Sequence, residues 1–335
     1  MAGDGRKVSY VSRAMVAGGS WAVAGGFAVW AAARIAAADR VQRTEGPVVP
    51  FISFTPQVAK AAPWAALGLQ LAGQRRPAAT TAAAAAALRL VVRSRAMFRM
   101  QPGASGPMLR VLTFNMFFGR GDAEVLVARV RQLSPDVLFL QELTADAVTR
   151  LKQAGLEELL PHNQVELRGG PRGSGIYSRF PLGEGVAMPP AHAAQPAALL
   201  EMPGGHRVEL VCVHSATPAS EHGGAAARWR ADLAALPAPG ERPRIMAGDF
   251  NATLDHAAFR GVLGRGYADS GQQAAGGLTP TWGMPPGKRA VLTLDHVLVD
   301  RGCAVLAYSV HVIPGSDHRA VYAEIQLPEL SQARP

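Results

Sequence analysis

The sequence predicts an α/β domain preceded by an apolar, helical N-terminal region. The first hundred residues consist of long Ala-rich apolar segments bounded by basic residues. The remainder alternates short apolar runs with stretches of helical periodicity and Gly/Pro turns, a pattern typical of layered α/β domains. The segment QPGASGP at residues 101–107 indicates a linker. We therefore predict a membrane anchor over residues 1–100, a catalytic domain over residues 108–327 and a tail over residues 328–335.

The first apolar run is long enough to cross a bilayer. Residues 14–33 contain no charged side chain, and Arg6, Lys7 and Arg13 precede them. A cleaved signal peptide has the same basic start, but its apolar core is shorter, and further apolar sequence follows here. We interpret this run as a retained transmembrane helix in the lipid bilayer.

Two further apolar segments, residues 51–71 and 77–92, are candidates for a second and a third span. The first of them contains Lys60 and two prolines. The basic turn QRRP at residues 74–77 falls on the same side as the basic N-terminus if the spans alternate, as the positive-inside rule expects. Three spans predict a multi-pass protein of the cell membrane with an extracytoplasmic catalytic domain, although Arg93 and its basic neighbours then lie outside. The alternative is that both segments are soluble or interfacial helices.

The positive charge of the chain is confined to the predicted anchor. Residues 1–107 hold 13 Lys and Arg against 3 Asp and Glu, whereas the remaining 228 residues hold 21 against 22. Binding to nucleic acid needs Lys and Arg on the binding face itself, so the net charge of +9 does not predict a DNA-binding domain. The two cysteines, Cys212 and Cys303, lack the spacing of a structural zinc site.

Polar side chains follow the ends of the predicted strands. The strands are expected at residues 109–115, 137–141, 175–178, 208–213, 244–247, 294–299 and 320–326. The polar residues at or beside their ends are Asn115, Glu142, His214, Asp249, Asn251, Asp295, Asp317 and His318. One such residue alone commonly caps a strand, but several buried carboxylates repel one another unless a cation compensates them. An oxygen-rich set without a thiolate favours Mg²⁺ or Mn²⁺ over zinc.

Seven motifs carry a resemblance to a known family. In chain order, LTFNM, QEL, SGIYSRFPL, VHSATP, GDFNAT, LDHVLV and GSDHRAV resemble the endonuclease/exonuclease/phosphatase superfamily. That superfamily includes pancreatic-type deoxyribonucleases, abasic-site endonucleases, inositol-polyphosphate 5-phosphatases and sphingomyelinases. The resemblance covers about residues 109–327. It implies a four-layer α/β/β/α sandwich with the active site at one end of two packed sheets.

The resemblance also implies roles for individual residues. Asn115, Glu142 and Asp317 match metal-binding positions, with Glu142 as the principal ligand of Mg²⁺ or Mn²⁺. Four residues match catalytic positions. Asp249 matches the aspartate that orients the attacking water, and His214 matches the histidine that contacts the phosphate. His318 matches the terminal catalytic histidine, and Asp295 matches the aspartate that supports it.

Two substrate-binding positions complete the resemblance. Asn251 matches a phosphate-holding asparagine and acts beside His214. Trp282, in the sequence TPTW, resembles an element on the substrate side of some members, although a core tryptophan after a turn explains it equally well.

The layout of the chain suggests a substrate class. Apolar N-terminal segments followed by such a domain resemble membrane-anchored bacterial members, including proteins of the teicoplanin-resistance type thought to act on polyprenyl phosphates. We therefore expect a metal-dependent phosphoesterase acting on a lipid-linked phosphate or diphosphate. One alternative is a surface nuclease. A basic loop with interleaved aromatic residues would favour it, and we find no such loop in the sequence. The other alternative is a non-catalytic binding module, which the intact set of site residues disfavours.

Overall fold

The computed structural model describes residues 4–41, 48–95, 101–219, 223–287 and 289–329, with side chains from residue 15 onward. Residues 96–100 of the predicted anchor and 330–335 of the predicted tail lie outside the described residues. The helices are α1 (Asp4–Ile35), α2 (Val48–Ile52), α3 (Thr55–Leu71), α4 (Arg75–Arg93), α5 (Ala123–Leu133), α6 (Ala145–Gln153), α7 (Leu156–Leu159), α8 (Ala225–Ala235), α9 (Ala257–Gly264) and α10 (Ser270–Gln273). The strands are β1 (Met108–Asn115), β2 (Val137–Gln141), β3 (His162–Glu166), β4 (Ser174–Ser178), β5 (Leu182–Glu184), β6 (Ala197–Glu201), β7 (Arg207–His214), β8 (Arg244–Asp249), β9 (Tyr267–Asp269), β10 (Asp295–Asp300), β11 (Ala304–Val312) and β12 (Arg319–Gln326).

The chain forms two compact units, residues 1–94 with 255–257, and residues 95–254 with 258–335. In the first unit, α1, α3 and α4 meet through small side chains. Ala31, Ala59, Ala84 and Leu88 form their shared core. Large apolar side chains remain on the outside, among them Trp64, Leu71 and Leu90.

Within the described residues, one helical segment is long and apolar enough to cross a membrane. This segment, Met15–Ile35, has 21 residues and a mean hydropathy of 1.3. Helix α3 has 17 residues and carries Lys60, and α4 is amphipathic with three arginines among its first and last residues and a fourth, Arg89, inside. Signal sequences, and core helices of soluble proteins, can have the same length and hydropathy as Met15–Ile35. The three-span anchor and its orientation therefore stay predictions.

The second unit contains two six-stranded sheets, and both are mixed. The first has the order β11-β12-β1-β2-β4-β3, and the second has the order β5-β6-β7-β8-β10-β9. The parallel pairs are β1 with β2 and β7 with β8, and the other neighbours are antiparallel. This confirms the predicted α/β class.

The inner faces of the two sheets share one hydrophobic core. From the first sheet it contains Leu109, Val111, Val137 and Phe139, and from the second Leu210, Ile245, Ala247 and Val297. Helices α5, α6 and α7 pack on the outer face of the first sheet. On the second sheet, Trp229 of α8 donates a hydrogen bond to the carbonyl oxygen of Phe250 at 3.2 Å, and Phe250 packs edge-on against Phe259 of α9. These layers are consistent with the α/β/β/α sandwich that the resemblance implies.

Two helix caps fix the loops that follow β1 and β2. The Asp122 carboxylate accepts the backbone N–H of Val125 at 3.0 Å and starts α5. The Thr144 hydroxyl accepts the backbone N–H of Ala147 at 3.2 Å and starts α6. Caps of this kind each contribute about 1 kcal/mol, and these two hold the chain immediately after Asn115 and Glu142.

Candidate active site

The inward-facing rows of the central strands change from apolar to polar at one end of the sandwich. Successive residues of a strand point to opposite faces, so every second residue lies between the sheets. The inward rows are Leu109-Val111-Thr113-Asn115 in β1, Leu210-Cys212-His214 in β7, Ile245-Ala247-Asp249 in β8 and Val299-Val297-Asp295 in β10. Parallel pairing of β7 with β8, and antiparallel pairing of β10 with β8, bring the polar ends together. The structure thus collects the residues that the sequence places at strand ends.

Asn115 connects the two sheets. Its side-chain Nδ2 donates to Glu142 Oε1 at 3.2 Å and to Asp249 Oδ2 at 3.1 Å. Its Oδ1 accepts the backbone N–H of Phe117 at 2.9 Å. Asn115 is fully buried, so these bonds set the spacing between a carboxylate of the first sheet and a carboxylate of the second.

Glu142 occupies a strained backbone position. It follows β2 with a φ of 53°, in the left-handed region that few side chains other than glycine adopt. The backbone N–H of Phe118 donates to its Oε2 at 2.7 Å, and Phe118 itself has a φ of 55°. Burial raises the pKa of Glu142, and the hydrogen bonds from Phe118 and Asn115 oppose that rise. Strain of this kind, about 1–3 kcal/mol per residue, concentrates at functional sites.

Asp249 and Asn251 form a tight turn after β8. The Asp249 Oδ1 accepts the backbone N–H of Asn251 at 2.8 Å, and the Asn251 Nδ2 donates to the carbonyl oxygen of Ser215 at 3.0 Å. Asn251 has a φ of 47°. Burial raises the pKa of Asp249 to about 7; the charge of His318 opposes the rise, and the carboxylates of Asp295 and Glu142 add to it.

His318 forms a buried ion pair with Asp295. Its Nδ1 lies 2.9 and 3.1 Å from the two oxygens of Asp295, and its Nε2 lies 3.8 Å from Asp249 Oδ2. Burial alone lowers the pKa of His318, but the carboxylates of Asp295 and Asp249 outweigh it and raise the pKa to about 10. The raised pKa favours the imidazolium form at neutral pH, and Nε2 lies beside Asp249, the carboxylate that the resemblance assigns to the attacking water.

Two hydroxyl side chains support this ion pair and the turn beside it. The Thr281 hydroxyl donates to Asp295 Oδ2 at 2.6 Å and accepts the backbone N–H of Asp295 at 3.1 Å. The Ser316 hydroxyl donates to the carbonyl oxygen of Asn115 at 2.8 Å and accepts the backbone N–H of His318 at 2.9 Å. Sequence analysis missed both roles, because each joins residues of distant strands and leaves no periodic pattern. The only available signals were the TPTW sequence before β10 and the serine immediately before the Asp317-His318 pair.

Trp282 lies within the site and orients Asp317. Its Nε1 donates to Asp317 Oδ2 at 3.0 Å. The other oxygen, Asp317 Oδ1, is buried and accepts no hydrogen bond from the described part of the chain. Burial raises the pKa of Asp317, and His318 opposes the rise. The predicted substrate-binding role of Trp282 stays a prediction, and the structure adds a positioning contact to it.

His214 is neutral at physiological pH. Its side chain is buried at the end of β7, and its Nδ1 has no hydrogen-bond partner among the residues that the structure describes. Burial lowers its pKa to about 3, and the neighbouring charges of His318 and His192 lower it further. It can therefore donate one hydrogen bond to a substrate oxygen but carries no positive charge.

The composition of the site fits a divalent cation. Glu142, Asp249, Asp295 and Asp317 are four largely buried carboxyl groups, and His318 is one cation. Among the residues that the structure describes, no lysine or arginine forms an ion pair with any of the four carboxylates. Buried carboxylates without compensation cost several kcal/mol each. Asp317 Oδ1 makes no hydrogen bond with the described residues and lies 3.8 Å from His318 Nε2, so it retains lone pairs for a ligand bond. Oxygen ligands of this kind suit Mg²⁺ or Mn²⁺.

A second group of possible ligands overlaps this set. Ligand atoms of Asp249, Asp295 and His318 lie within 4.8 Å of one another. The carboxylates around His318 raise its pKa to about 10, which favours the protonated ring over a metal ligand, and its Nδ1 lies 2.9 Å from Asp295 Oδ2. The ligand set that the resemblance implies, Glu142 with Asn115 and Asp317, stays a prediction.

Solved structures of known proteins share this fold. An endonuclease/exonuclease/phosphatase from Beutenbergia cavernae is 22% identical with a TM-score of 0.53, over 66% of this chain and 72% of that one. An AP endonuclease from Archaeoglobus fulgidus is 14% identical with a TM-score of 0.52, over 64% of this chain and 98% of that one. A humanized TDP2 of D. rerio is 19% identical with a TM-score of 0.51, over 65% and 98%. No curated protein matches the sequence.

The sequence also matches a family model, the Endonuclease/Exonuclease/phosphatase family, over residues 112–318. The match runs from β1 to the Asp317-His318 pair, so it includes every residue of the site described above. Members of this family are divalent-metal-dependent hydrolases of phosphoester bonds, a chemistry that the carboxylate-rich end of the sandwich can perform. The chain therefore belongs to the endonuclease/exonuclease/phosphatase family and is a hydrolase acting on phosphoester bonds.

Proposed function

We propose that this protein hydrolyses a lipid-linked phosphate ester or diphosphate at a membrane surface, by in-line attack of water on phosphorus. The observation that carries the reaction is the buried contact set in which Asp249 accepts from Asn115 and lies 3.8 Å from the His318 imidazolium. In this arrangement the Asp249 carboxylate can hold a water, and the His318 imidazolium can face a negatively charged phosphoryl group. Glu142, with Asn115 and Asp317, would hold Mg²⁺ or Mn²⁺, which neutralises and polarises phosphoryl oxygens when bound.

The protein's own residues supply three further functions. Asp249, whose pKa lies near neutrality, orients the water and accepts its proton. His318, held charged by Asp295, stabilises the negative charge that develops on the phosphoryl oxygens. Neutral His214 and the Asn251 amide donate hydrogen bonds that hold the phosphate.

Two features support a lipid-linked substrate. Met15–Ile35 has the length and hydropathy to span a bilayer, and a membrane anchor keeps the enzyme next to lipid headgroups. Residues 108–335 hold 21 basic and 22 acidic side chains. A near-neutral domain lacks the excess of Lys and Arg with which proteins bind a polyanionic nucleic acid.

Assays with three substrates test the proposal. Purified full-length protein in detergent with Mg²⁺ is offered a polyprenyl diphosphate, sphingomyelin and plasmid DNA, each with and without EDTA. We expect release of phosphate from the polyprenyl substrate that EDTA abolishes. Cleavage of plasmid DNA at a comparable or higher kcat/KM would instead establish the surface-nuclease alternative. Hydrolysis of none of the three substrates would refute the polyprenyl and nuclease assignments together.

A further inference from the structure

Two large apolar side chains stand exposed beside the predicted metal ligands. Phe118 is 50% exposed and Met284 is 63% exposed. Phe118 lies in the loop after β1, and Met284 lies in the loop that follows Trp282, so they come from distant parts of the sequence. Together, residues 116–119 and 283–287 are termed the rim.

Hydrogen bonds hold both segments of the rim beside these carboxylates. The backbone N–H of Phe118 donates to Glu142 Oε2 at 2.7 Å. The backbone N–H of Gly283 donates to the carbonyl oxygen of Asp317 at 3.0 Å, and Met284 is the next residue along the chain. Each exposed side chain therefore belongs to, or directly follows, a residue that contacts a predicted ligand.

The two segments border the same site. Asn115 donates through Nδ2 to Glu142, and its carbonyl oxygen accepts the hydroxyl of Ser316, the residue before Asp317. A phosphate bound at Glu142 and Asp317 therefore lies beside both segments, and the group esterified to that phosphate extends past the rim.

The conformation of the first segment does not require phenylalanine. Phe117, Phe118 and Gly119 have φ values of 46°, 55° and 71°, so three consecutive residues lie in the left-handed region. Glycine or asparagine adopts this region with less strain than a bulky side chain, and the hydrogen bond to Glu142 comes from the backbone. Because the Phe118 ring is half exposed, its burial against the protein offsets only part of that strain. The ring therefore has a role beyond the fold of the loop.

The aromatic rings of the first segment are held in a defined arrangement. Phe117 and Phe118 pack edge to face, with their ring centroids 5.4 Å apart. The Arg120 guanidinium lies 5.4 Å from the first centroid and 5.7 Å from the second. Both kinds of contact are attractive, so they orient the rings. Arg120 also places a positive charge beside the site, which is compatible with the diphosphate of the proposed function.

The composition of the rim favours a hydrocarbon over a polar ligand. Residues 116–119 read Met-Phe-Phe-Gly, and residues 283–287 read Gly-Met-Pro-Pro-Gly. None of these side chains carries a hydroxyl, an amide or a charge, and the two prolines lack a backbone N–H as well. A sugar or a polar headgroup needs such groups, whereas an alkyl or isoprenoid chain needs only apolar surface. Methionine adapts its shape to a flexible chain and offers no flat face on which a base stacks.

We propose that Phe118 and Met284 bind the hydrocarbon chain of the substrate where it leaves the scissile phosphate or diphosphate. Single exposed apolar side chains are ordinary on protein surfaces, but these two flank the same pair of carboxylates. Contact with a chain removes their apolar surface from water, which is favourable. This inference rests on the proposed phosphoesterase activity and assigns the residues that select a lipid phosphate over a hydrophilic one.

Alkyl phosphates of different chain length test the inference. Ethyl phosphate and hexyl phosphate are soluble monoesters that differ only in their chains. Full burial of one methylene strengthens binding about fourfold, and a rim open to solvent buries about half of each methylene. We therefore expect kcat/KM of the full-length protein in detergent to be about 15-fold higher for hexyl phosphate than for ethyl phosphate. A hexyl/ethyl ratio near one in the wild type would overturn the inference.

Variants of the rim show whether apolar contact produces this ratio. Phe118→Asn tolerates the left-handed backbone but removes the ring, and combined with Met284→Ser it should lower the hexyl/ethyl ratio by about fivefold or more. Phe118→Leu keeps an apolar side chain and should retain most of the ratio. The ratio is unaffected by a loss of catalysis, or by partition into detergent, that the proteins share.

The matched control is Leu306→Ser. Leu306 is 55% exposed and lies near the start of β11, level with Ile325 of β12 and remote from His318 at the other end. It should leave the hexyl/ethyl ratio unchanged. Equal ratios in the wild type and in the double variant Phe118→Asn/Met284→Ser would contradict the proposal.

Binding of alkylphosphonates separates this inference from the proposed function. Ethylphosphonate and hexylphosphonate have a carbon–phosphorus bond in place of the ester, so hydrolysis does not enter the measurement. Titration calorimetry of the full-length protein with Mg²⁺ should show tighter binding of hexylphosphonate, and Phe118→Asn/Met284→Ser should remove the difference, even if no phosphoester is hydrolysed. Absence of hexylphosphonate binding, or binding that does not depend on chain length, refutes the rim assignment, and any hydrolysis of phosphoesters then leaves the phosphoesterase intact. Tighter binding of adenosine monophosphate than of hexylphosphonate, lost in Phe118→Leu, would overturn the inference in favour of base stacking.

Discussion

At the residue scale, Glu142 holds the least compensated charge of the site. Its oxygens accept hydrogen bonds from Asn115 and Phe118, both neutral donors, and no lysine or arginine of the described residues pairs with it. Glu142→Gln preserves the shape but removes the charge that a cation needs. We expect turnover to fall by at least about a thousandfold, or roughly 4 kcal/mol in the barrier, with an unchanged circular dichroism spectrum and melting temperature.

The control for this substitution is Glu157→Gln, on a surface helix and paired only with Lys152. It should retain full activity. A fully active Glu142→Gln enzyme, or wild-type activity that survives EDTA, would refute Glu142 as the principal metal ligand.

Asp295 and His318 act as one unit, because the charge on His318 depends on Asp295. The first substitution, Asp295→Asn, removes the carboxylate that raises the pKa of His318. We expect Asp295→Asn and His318→Ala each to lower kcat by about two to four orders of magnitude, and the double variant to lose little more. Steady-state kinetics of the four proteins measure this, and strictly multiplicative losses would show that the two residues work independently.

At the element scale, the close approach of β7 and β8 depends on Gly248. A Cβ at this position would lie 1.9 Å from the carbonyl oxygen of Val213, and the φ is +149°. We therefore expect Gly248→Ala to destabilise the protein by about 3 kcal/mol or more, since it combines overlap with backbone strain. Urea unfolding measures the loss. Gly183→Ala in β5, where the nearest atom to a Cβ is 3.8 Å away, is the matched control and should change stability by less than about 1 kcal/mol.

Another buried histidine, His296, ties β10 to the turn after β8. His296 Nδ1 lies 2.7 Å from Asp269 Oδ2, and its Nε2 lies 2.9 Å from the carbonyl oxygen of Ala252. Both partners accept only, so both ring nitrogens donate and the ring is protonated. Burial alone lowers its pKa, but Asp269, the hydrogen bonds and Asp295 together raise it.

The raised pKa of His296 predicts a pH-dependent contribution to stability. A group whose pKa is higher in the folded state stabilises that state below its unfolded pKa, and the contribution disappears as pH rises through the folded value. The difference in melting temperature between wild type and His296→Gln should therefore be largest near about pH 6 and shrink at alkaline pH. A difference that is constant across this range would show that His296 contributes through packing rather than charge.

The sequence predicts seven of the twelve described strands and the polar residues at their ends, because both follow from apolar runs and periodicity. It does not predict β3, β5, β6, β9 and β11. The inward-facing rows of β1, β7 and β8 end in Asn115, His214 and Asp249. Because side chains alternate along a strand, the pattern that buries Val111 and Ala247 between the sheets also places these three polar side chains there. The cross-strand bonds are not predictable in this way. Thr281 with Asp295, or Ser316 with Asn115, become neighbours only through strand order and register, which local patterns do not encode.

At the scale of the whole molecule, the orientation of the catalytic domain decides which phosphoesters it can reach. If three segments span the bilayer with the basic N-terminus inside, the domain faces outward. A phosphatase fused after Pro335 should then be active, and protease added to intact spheroplasts should remove the domain. A cytoplasmic protein that stays intact in the same sample controls for lysis.

If the domain is protected from protease, one of the three predicted spans does not insert into the membrane. Helix α3 is the weakest span, because it has 17 residues, three fewer than a typical span, and carries Lys60 within it. A lysine near mid-membrane costs roughly 2.5–3.5 kcal/mol on insertion scales, and alanine offsets little of that cost. Loss of one span reverses the orientation and turns the active site to the cytoplasmic leaflet. Lys60→Leu should then restore outward orientation if α3 is the segment that fails to insert. A domain that stays protected in Lys60→Leu would mean that α4, which contains four arginines, is the segment that fails to insert, and the substrate would be a cytoplasmic phosphoester.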